Sequence, residues 1–503
     1  MSSSEEVNTS SVLGLFKEII IDHSLCGDEL EENMVIVAAC NPARTEAVHK
    51  ELSQREKDLG KDWVSGHYQV SSLPGSVERL KWSYGSLNKD QEKEFIFRRL
   101  EMLGRNKFPA YLARSMTELI SESQEAIRCF AYESILRRWK TTKTGADSED
   151  DAKQRARSTV SLRDIQRVFG LYQFFSEEFP ITLTETPSPD KVHRHSMLLS
   201  LAVVYYLRLD HHSRSTFVKR LNDLPTEKQE EDDLLQILNA AMDKVISQTN
   251  IPPGIALTRG LKENVFMTLV CSLSRTPLMI VGPPGSSKVS PSLWSNISLL
   301  HLICKLNRTW FVSLGIGNQQ TLSVNTVSDN AKGPESPSPF YRDYARLPIF
   351  HYQCTKASTS TEVASVFRKA IERQRKVDST KQKCLVVLDE AGLTEEEKES
   401  LKVLHYFLEG HMSTKAEVGF VAITNHILDA AKTNRCAVLL REEPDLNELE
   451  SIARGVLFDA DLDGRCSTRQ IKCDGKFMTP EEIVCLMSVL HGPTLRSRRV
   501  QMV

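Results

Sequence analysis

The chain has 503 residues, a formal net charge of −2 at pH 7 and 26% charged residues. This length predicts two to four domains. The near-neutral charge gives no basic face of the kind that binds nucleic acid, so we expect no nucleic-acid partner. The longest apolar stretch, residues 196–207, is too short to span a bilayer, and we expect no transmembrane segment.

The first predicted element is the apolar run Met-Val-Ile-Val-Ala-Ala-Cys at residues 34–40, which is followed by Asn41. Such a run is typical of a buried strand, and its carboxyl end would place the Asn41 amide at the edge of a sheet. No Gly-Lys-Ser/Thr pattern precedes this strand in the chain. The module around it would therefore lack a phosphate loop of its own.

A helical region is predicted next. Residues 141–158 are polar and charged, and they predict a surface loop. Ser161 is typical of a helix N-cap with Asp164 at the third helical position, and this places Arg163 in the first turn. The patterns over 165–179 and 197–217 predict the helices of a small subdomain.

The strongest chemical motif follows at residues 280–288, Ile-Val-Gly-Pro-Pro-Gly-Ser-Ser-Lys. Backbone N–H groups of a phosphate loop hold the phosphates, the lysine contacts the β and γ oxygens, and the next residue supplies a hydroxyl to Mg²⁺. In this chain the hydroxyl position is Val289, which has no oxygen to offer a metal. The predicted phosphate-binding residues are Gly282, Pro283, Pro284, Gly285, Ser286, Ser287 and Lys288.

The missing hydroxyl has an explanation in the residues that follow. Deleting residues 289–320, which are 32 in number, would join Lys288 to Thr321 and complete the loop with Thr321 as a metal ligand. Lys288-Val-Ser is what a reading frame gives when it runs through a splice donor. The segment lacks the continuous amphipathic pattern of the helix that must follow a phosphate loop. We favour a retained intron or a gene-model error, and a lineage-specific insertion stays the alternative.

Two further apolar runs end on polar side chains. Residues 384–388 predict a buried parallel strand that leads into Asp389 and Glu390. Carboxylates at such a strand end lie where open α/β sheets bind ligands, so Asp389 would hold Mg²⁺ and Glu390 would polarise the attacking water. The run at 418–424 predicts another strand, which ends at Asn425, and Arg435 lies ten residues further on.

The order of loop, carboxylates, Asn and Arg resembles that of AAA+ ATPases. This resemblance implies that Asn425 is sensor 1, which orients the water, and that Arg435 is an arginine finger for a neighbouring module. It also implies that Asn41 is a second sensor 1 and that Arg163 is a sensor 2. A plainer alternative for Arg435 is a charge that complements a helix dipole.

The chain further resembles the AAA+ core of the mysterin family, giant RING-finger ubiquitin ligases whose ATPase modules are related to those of dynein and midasin. A dynein- or midasin-like motor is a less favoured interpretation. The ligase machinery of the family is not expected here, because the 11 cysteines include no Cys-x-x-Cys zinc framework. The lines that carry the resemblance are Ser10–Ile19, Leu80–Leu87, Val160–Ile165, Gly260–Met267, Phe350–Thr355 and Val387–Leu393.

The resemblance implies an α/β fold, in which a parallel AAA+ sheet is flanked by helices, with α-helical small subdomains and a partial tandem of two modules. We assign residues 1–75 to the end of a first large subdomain and 76–220 to a helical small subdomain. Residues 221–456 would form a second module interrupted at 289–320, and 457–503 a C-terminal extension.

The resemblance implies an AAA+ ATPase segment, with ATP binding and Mg²⁺-dependent ATP hydrolysis that drives conformational change, and we expect this hydrolysis to be weak or absent in this chain. The alternative is a non-catalytic structural or interaction module. The expected partners are neighbouring AAA+ modules, with ubiquitin machinery implied only by the family. Scattered cysteines within apolar runs are typical of reduced, buried thiols, which predicts a cytoplasmic protein.

Overall fold

The computed structural model of the protein divides into two compact units. The first comprises Met1–Ile165, Lys219–Gln229 and His426–Asn434, and the second comprises Gln166–Val218, Glu230–Asn425 and Arg435–Val503. The sequence-based domain boundaries stay a prediction. The structure describes residues 13–31, 33–40, 72–83, 85, 87–104, 110–142, 149–179, 188–224, 233–252, 255, 257–282, 319–394, 400–408, 416–442, 448, 471–473 and 476–478.

Within these ranges the α-helices are α1 Leu13–Lys17, α2 Gly75–Glu78, α3 Lys89–Gly104, α4 Ala110–Thr142, α5 Glu149–Ser158, α6 Leu162–Gln173, α7 Pro189–Leu201, α8 His211–Asn222, α9 Leu234–Gln248, α10 Arg259–Ser274, α11 Gln319–Asn330, α12 Pro339–Arg342, α13 Ser360–Arg375, α14 Leu404–Leu408 and α15 Ala430–Thr433. The strands are β1 Ser24–Leu25, β2 Asp28–Glu29, β3 Leu278–Val281, β4 Ile349–Gln353, β5 Leu385–Asp389, β6 Gly419–Thr424, β7 Ala437–Leu440, β8 Ile471–Cys473 and β9 Lys476–Met478. Turns of π-helix extend α1, α6 and α7 over Glu18–Asp22, Phe174–Glu178 and Ala202–Tyr206. None of the helices in these ranges is long and apolar enough to cross a membrane.

The first unit is built on α3 and α4. Arg128 of α4 forms a bidentate ion pair with Glu92 of α3, with both N–O distances at 2.7 Å. The loop predicted over 141–158 is wrong for residues 149–158, which form α5. Ala152 and Ala156 of this helix are buried, because α5 packs against α4. Two small apolar residues one turn apart were too weak a signal within so polar a stretch.

The strand predicted over residues 34–40 does not form. These residues have no regular structure, and Val35 and Val37 are 86% and 85% exposed. A strand needs a neighbour to pair with its N–H and C=O groups, and the described residues place none beside this run.

The predicted cap of α6 is confirmed, because the Ser161 N–H donates to Asp164 Oδ2 at 2.8 Å and Ser161 Oγ accepts from the Arg163 N–H at 3.3 Å.

The second unit contains a parallel sheet with the strand order β4-β5-β6-β3-β7. The inner strands β3, β5 and β6 are mostly apolar, and all their residues except Asp389 at the end of β5 are buried, as a sheet covered on both faces requires. Helix α10 packs against β3 and β6, and α13 packs against β4 and β5. The predicted α/β architecture, a parallel sheet flanked by helices, is confirmed.

Helix α10 is buried along nearly its whole length, although it carries polar residues one turn apart. Asn264, Thr268 and Ser272 are at most 1% exposed, and their side chains have no hydrogen-bond partner among the residues that the structure describes. A buried polar group without a partner loses its hydration and gains nothing in return, which costs about 1–3 kcal/mol. These positions are therefore weak points of the core.

Replacing Thr268 with Val should raise the free energy of unfolding by about 1 kcal/mol, because Val has the same shape and no hydroxyl to leave unpaired. Thr249→Val is the matched control. The Thr249 hydroxyl donates to the Val245 carbonyl at 2.7 Å and lies 2.6 Å from the Tyr341 hydroxyl. Chemical denaturation should show that Thr249→Val is destabilised. If Thr268→Val were destabilised as well, the Thr268 hydroxyl would not be an unpaired polar group.

Candidate functional site

Four predicted site residues of the second unit, Gly282, Asp389, Glu390 and Asn425, lie at the carboxyl edge of the parallel sheet. The register pairs Val281 of β3 with Thr424 of β6, and the Gly282 N–H donates to the Thr424 carbonyl at 3.0 Å. Gly282 and Asn425 therefore follow neighbouring strands at the same edge. Asp389 ends β5, on the other side of β6, so the strand leading to Asn425 lies between those leading to Gly282 and Asp389.

Thr321 lies beside Asp389, although 68 residues separate them in the chain. Thr321 Oγ1 in the first turn of α11 donates to Asp389 Oδ2 at 3.1 Å. Helix α11 reaches this position because it packs closely against α10, which precedes β3. The structure thus brings together a hydroxyl and a carboxylate that are 68 residues apart in the sequence.

Glu390 adopts a backbone conformation that is unusual for a glutamate. Its φ and ψ are 52° and 40°, in the left-handed region, and its N–H donates to Asp389 Oδ1 at 2.9 Å. Non-glycine residues in this region carry strain, and such residues cluster at functional sites. The strained turn places Glu390 immediately after the strand end, at the same edge as Asp389.

Two neighbours of Asp389 were missed as site residues. His351 of β4 places Nε2 3.7 Å from Asp389 Oδ2, too far for a hydrogen bond but close enough to interact when protonated. The N–H of Cys354 donates to the Asp389 carbonyl at 2.9 Å, and burial, with the nearby charges of Asp389 and Glu390, raises the pKa of its thiol to about 12. Both residues lie in the segment Phe350–Thr355, which the sequence analysis used only as evidence of the family resemblance and not as part of a site.

The residues at this edge fit a magnesium ion that is also bound by phosphate. Among the described residues no cluster of three or more His, Cys, Asp or Glu side chains could hold a metal alone. Mg²⁺ does not need such a cluster, because it is usually held by one or two protein oxygens together with substrate phosphates and water. A carboxylate offers about four lone-pair positions, and the contacts above occupy two on Asp389.

The two predicted arginines are not part of this edge. Arg435 lies between α15 and β7 and is 3% exposed. Its guanidinium would have to leave a buried environment to reach a neighbouring module, so the arginine finger stays a prediction. Arg163, the second residue of α6, is exposed and belongs to the first unit. Its sensor 2 role is likewise a prediction.

Several predicted positions lie outside the described residues. They include Asn41, most of the phosphate loop and nearly all of the predicted insertion, of which only Gln319 and Gln320 belong to α11. The loop residues concerned are Pro283, Pro284, Gly285, Ser286, Ser287 and Lys288.

A family model described as the RNF213 AAA domain matches residues 254–297 and 289–448, and the division between its two segments falls within the predicted insertion. The chain is 28% identical to the human E3 ubiquitin-protein ligase RNF213 and 27% identical to its mouse counterpart, in both cases over 90% of this chain. It is also 27% identical, over 90% of its length, to a Dictyostelium discoideum protein named as a putative uncharacterized transmembrane protein.

The chain is therefore RNF213-like, and the predicted resemblance to the mysterin family is confirmed. The family match agrees with the AAA+ fold expected for the parallel sheet. The chain spans 8% of the length of each of these relatives. The ubiquitin-protein ligase activity in the names of the human and mouse relatives is a property of those proteins.

Proposed function

We propose that this RNF213-like chain carries an AAA+ nucleotide site that binds ATP together with Mg²⁺ and hydrolyses it weakly or not at all. The hydrogen bond from Thr321 Oγ1 to Asp389 Oδ2, 3.1 Å long, is the observation that carries the proposal. A hydroxyl at the start of the helix after the phosphate loop and a carboxylate at a strand end are the two protein groups that hold Mg²⁺ in phosphate-loop ATPases.

The roles follow from the chemistry of each group. The loop amides from Gly282 onwards and the Lys288 ammonium would hold the phosphates. Thr321 and Asp389 would hold Mg²⁺, which when bound neutralises phosphate charge. Glu390 would accept a proton from the attacking water, and the Asn425 amide would orient that water. Asn425 follows β6, which lies between β5 and β3, and Glu390 lies in a strained turn directly after β5. Both positions support these roles.

Two observations favour weak hydrolysis or none. Val289 follows Lys288 where a hydroxyl is expected, so the loop and its metal ligand are separated by 32 residues. Arg435 is buried, and an arginine finger must reach the γ-phosphate of another module to stabilise transition-state charge. The second candidate function, favoured by the same two observations, is a structural AAA+ module that holds nucleotide without turning it over.

The partners of such a module would be neighbouring AAA+ modules, for which Asn41 and Arg163 would serve as sensor 1 and sensor 2. Contact with ubiquitin machinery would come through the longer proteins to which the chain is similar. A cytoplasmic location is supported by the buried free thiols of Cys271, Cys354 and Cys384.

The proposal is tested by titrating the full chain with labelled ATP, with and without Mg²⁺. Thr321→Val should weaken binding of Mg²⁺-ATP roughly tenfold, equivalent to about 1.4 kcal/mol. It should leave binding without Mg²⁺ unchanged, because the hydroxyl would act on the nucleotide only through the metal. Thr326→Val is the matched control, since Thr326 lies on the same helix and is buried.

The control should bind like the unmodified chain under both conditions. The proposal would be wrong if the unmodified chain bound no ATP. It would also be wrong if Thr321→Val and Thr326→Val had the same Mg²⁺ dependence.

A further inference from the structure

A buried carboxylate in α10 joins three arginines from separate parts of the second unit. Glu263 is 0% exposed, and its Oε1 lies 2.9 Å from Arg214 Nη1 and 2.9 Å from Arg259 Nε. Its Oε2 lies 3.0 Å from Arg441 Nη1. We call Glu263 and these three arginines the Glu263 cluster.

The cluster keeps Glu263 charged. Burial alone would raise the pKa of this carboxyl, but the guanidinium groups of Arg214, Arg441 and Arg259 outweigh it and hold the pKa below its ordinary value. Arg214 is itself fixed, because it donates to the carbonyls of Leu207 and Leu209. The anchor for Arg441 is therefore both charged and rigid.

Arg441 links this anchor to the end of β3, which directly precedes the predicted phosphate loop. It follows β7, and its backbone N–H donates at 2.7 Å to the carbonyl of Val281, the residue before Gly282. Its guanidinium also lies 4.0 Å from Glu448 Oε1, and the same oxygen accepts the Gly260 N–H at 3.1 Å. One residue thus contacts the loop entrance through its backbone, and both α10 and Glu448 through its side chain.

The side chain of Arg441 occupies this position only because residue 260 is a glycine. A Cβ at Gly260 would lie 1.7 Å from Arg441 Nη2 and 2.6 Å from its Cζ. The guanidinium is the far end of a flexible side chain, so a methyl group here would displace it rather than block folding. Gly260→Ala is therefore a way to move Arg441 without changing any charge.

We propose that Arg441 is a positioning residue that couples nucleotide binding at the phosphate loop to the docking of Glu448 on the first turn of α10. The inference rests on the proposed function, because it requires nucleotide at the loop. A shift of Val281 on binding would move the Arg441 backbone, and the rigid anchor would turn that shift into a change at Glu448. Such coupling is reciprocal, so undocking Glu448 must weaken nucleotide binding by the same factor.

The test compares the full chain with Gly260→Ala and with Gly170→Ala. Gly170 is a helical glycine at which a Cβ would meet no atom of the described residues within 4 Å. Binding of Mg²⁺-ATP is titrated at a temperature at which all three proteins are folded. Hydrogen exchange is followed, with and without nucleotide, at the backbone N–H of position 260, which donates to Glu448 Oε1.

We expect Gly260→Ala to bind Mg²⁺-ATP about fivefold more weakly or worse, at the low end of measured coupling between sites. Gly170→Ala should bind normally. Mg²⁺-ATP should slow exchange at position 260 in the unmodified chain and in Gly170→Ala, but not in Gly260→Ala. Arg441→Lys, which keeps the charge and loses the planar fork, should give an intermediate affinity.

Equal affinities for Gly260→Ala and Gly170→Ala would overturn the inference but not the proposed function. The same holds if nucleotide does not change the rate of hydrogen exchange at position 260 in the unmodified chain. A loss of thermal stability in Gly260→Ala with unchanged affinity would make Arg441 a purely structural residue, which also overturns it. No binding by the unmodified chain would instead overturn the proposed function, and the inference with it.

Discussion

Replacing Glu263 with Gln is expected to lower the free energy of unfolding by about 3–5 kcal/mol, because it leaves buried guanidinium groups without their counter-charge. The effect should be visible as a lower denaturation midpoint in urea at pH 7. Glu372→Gln is the matched control, since Glu372 is exposed and pairs at 2.8 Å with Lys376, four residues further along the chain. We expect no measurable change for it, and equal midpoints for the two variants would contradict the account of the Glu263 cluster.

The same cluster predicts a pH dependence. The pKa of Glu263 is lowered from an ordinary value of 4.5, so its stabilising contribution is present above about pH 4.5 and is lost as the pH falls through the folded value. The stability difference between the unmodified chain and Glu263→Gln should therefore be constant near neutral pH and shrink in acid. A difference that grows in acid would show that the pKa of Glu263 is raised in the folded protein, and it would contradict the account of the Glu263 cluster.

Excision of residues 289–320 is expected to strengthen binding of Mg²⁺-ATP about tenfold or more, because Thr321 then follows Lys288 directly. The structure already holds Thr321 against Asp389, so excision would bring the loop to a proposed metal ligand that lies beside Asp389. Shortening the chain between Gly282 and Thr321 from 38 residues to six should also stabilise the fold by about 1–2 kcal/mol. Labelled-ATP titration and denaturation in urea measure the two effects.

The control for excision replaces residues 289–320 with a Gly/Ser linker of equal length. This variant keeps the separation between Lys288 and Thr321, so it should bind like the unmodified chain. If the excised chain bound with the same affinity and the same Mg²⁺ dependence as the unmodified chain, residues 289–320 would be a tolerated insertion and our account of the loop would be wrong.

The parts of the site that sequence could predict are those that depend on local pattern. The runs that form β5 and β6 are apolar, rich in β-branched residues and closed by Asp389 or Asn425, and each became a buried strand. Because parallel strands share one carboxyl edge, their terminal residues meet there wherever the strands come in the chain. The cap of α6 at Ser161 was likewise a local signal and was confirmed.

What could not be predicted depends on partners distant in the chain. Residues 34–40 have a similar apolar pattern to β6, yet they form no strand, and no described part of the chain lies beside them to pair with. Glu263 is separated from Arg214 by 49 residues and from Arg441 by 178, so no local pattern marks the Glu263 cluster. The contact between Thr321 and Asp389 was foreseen only by supposing an interruption in the chain.

The central claim is that Thr321 and Asp389 hold the metal of a nucleotide site, and the position of the ion tests it most directly. We would crystallise the full chain with Mn²⁺ in place of Mg²⁺ and a non-hydrolysable ATP analogue, and locate the ion by anomalous scattering. The account predicts the ion at the end of β5, about 2.1 Å from Thr321 Oγ1 and beside the Asp389 carboxylate. Bound nucleotide with its ion remote from both side chains, or with no ion there, would contradict it.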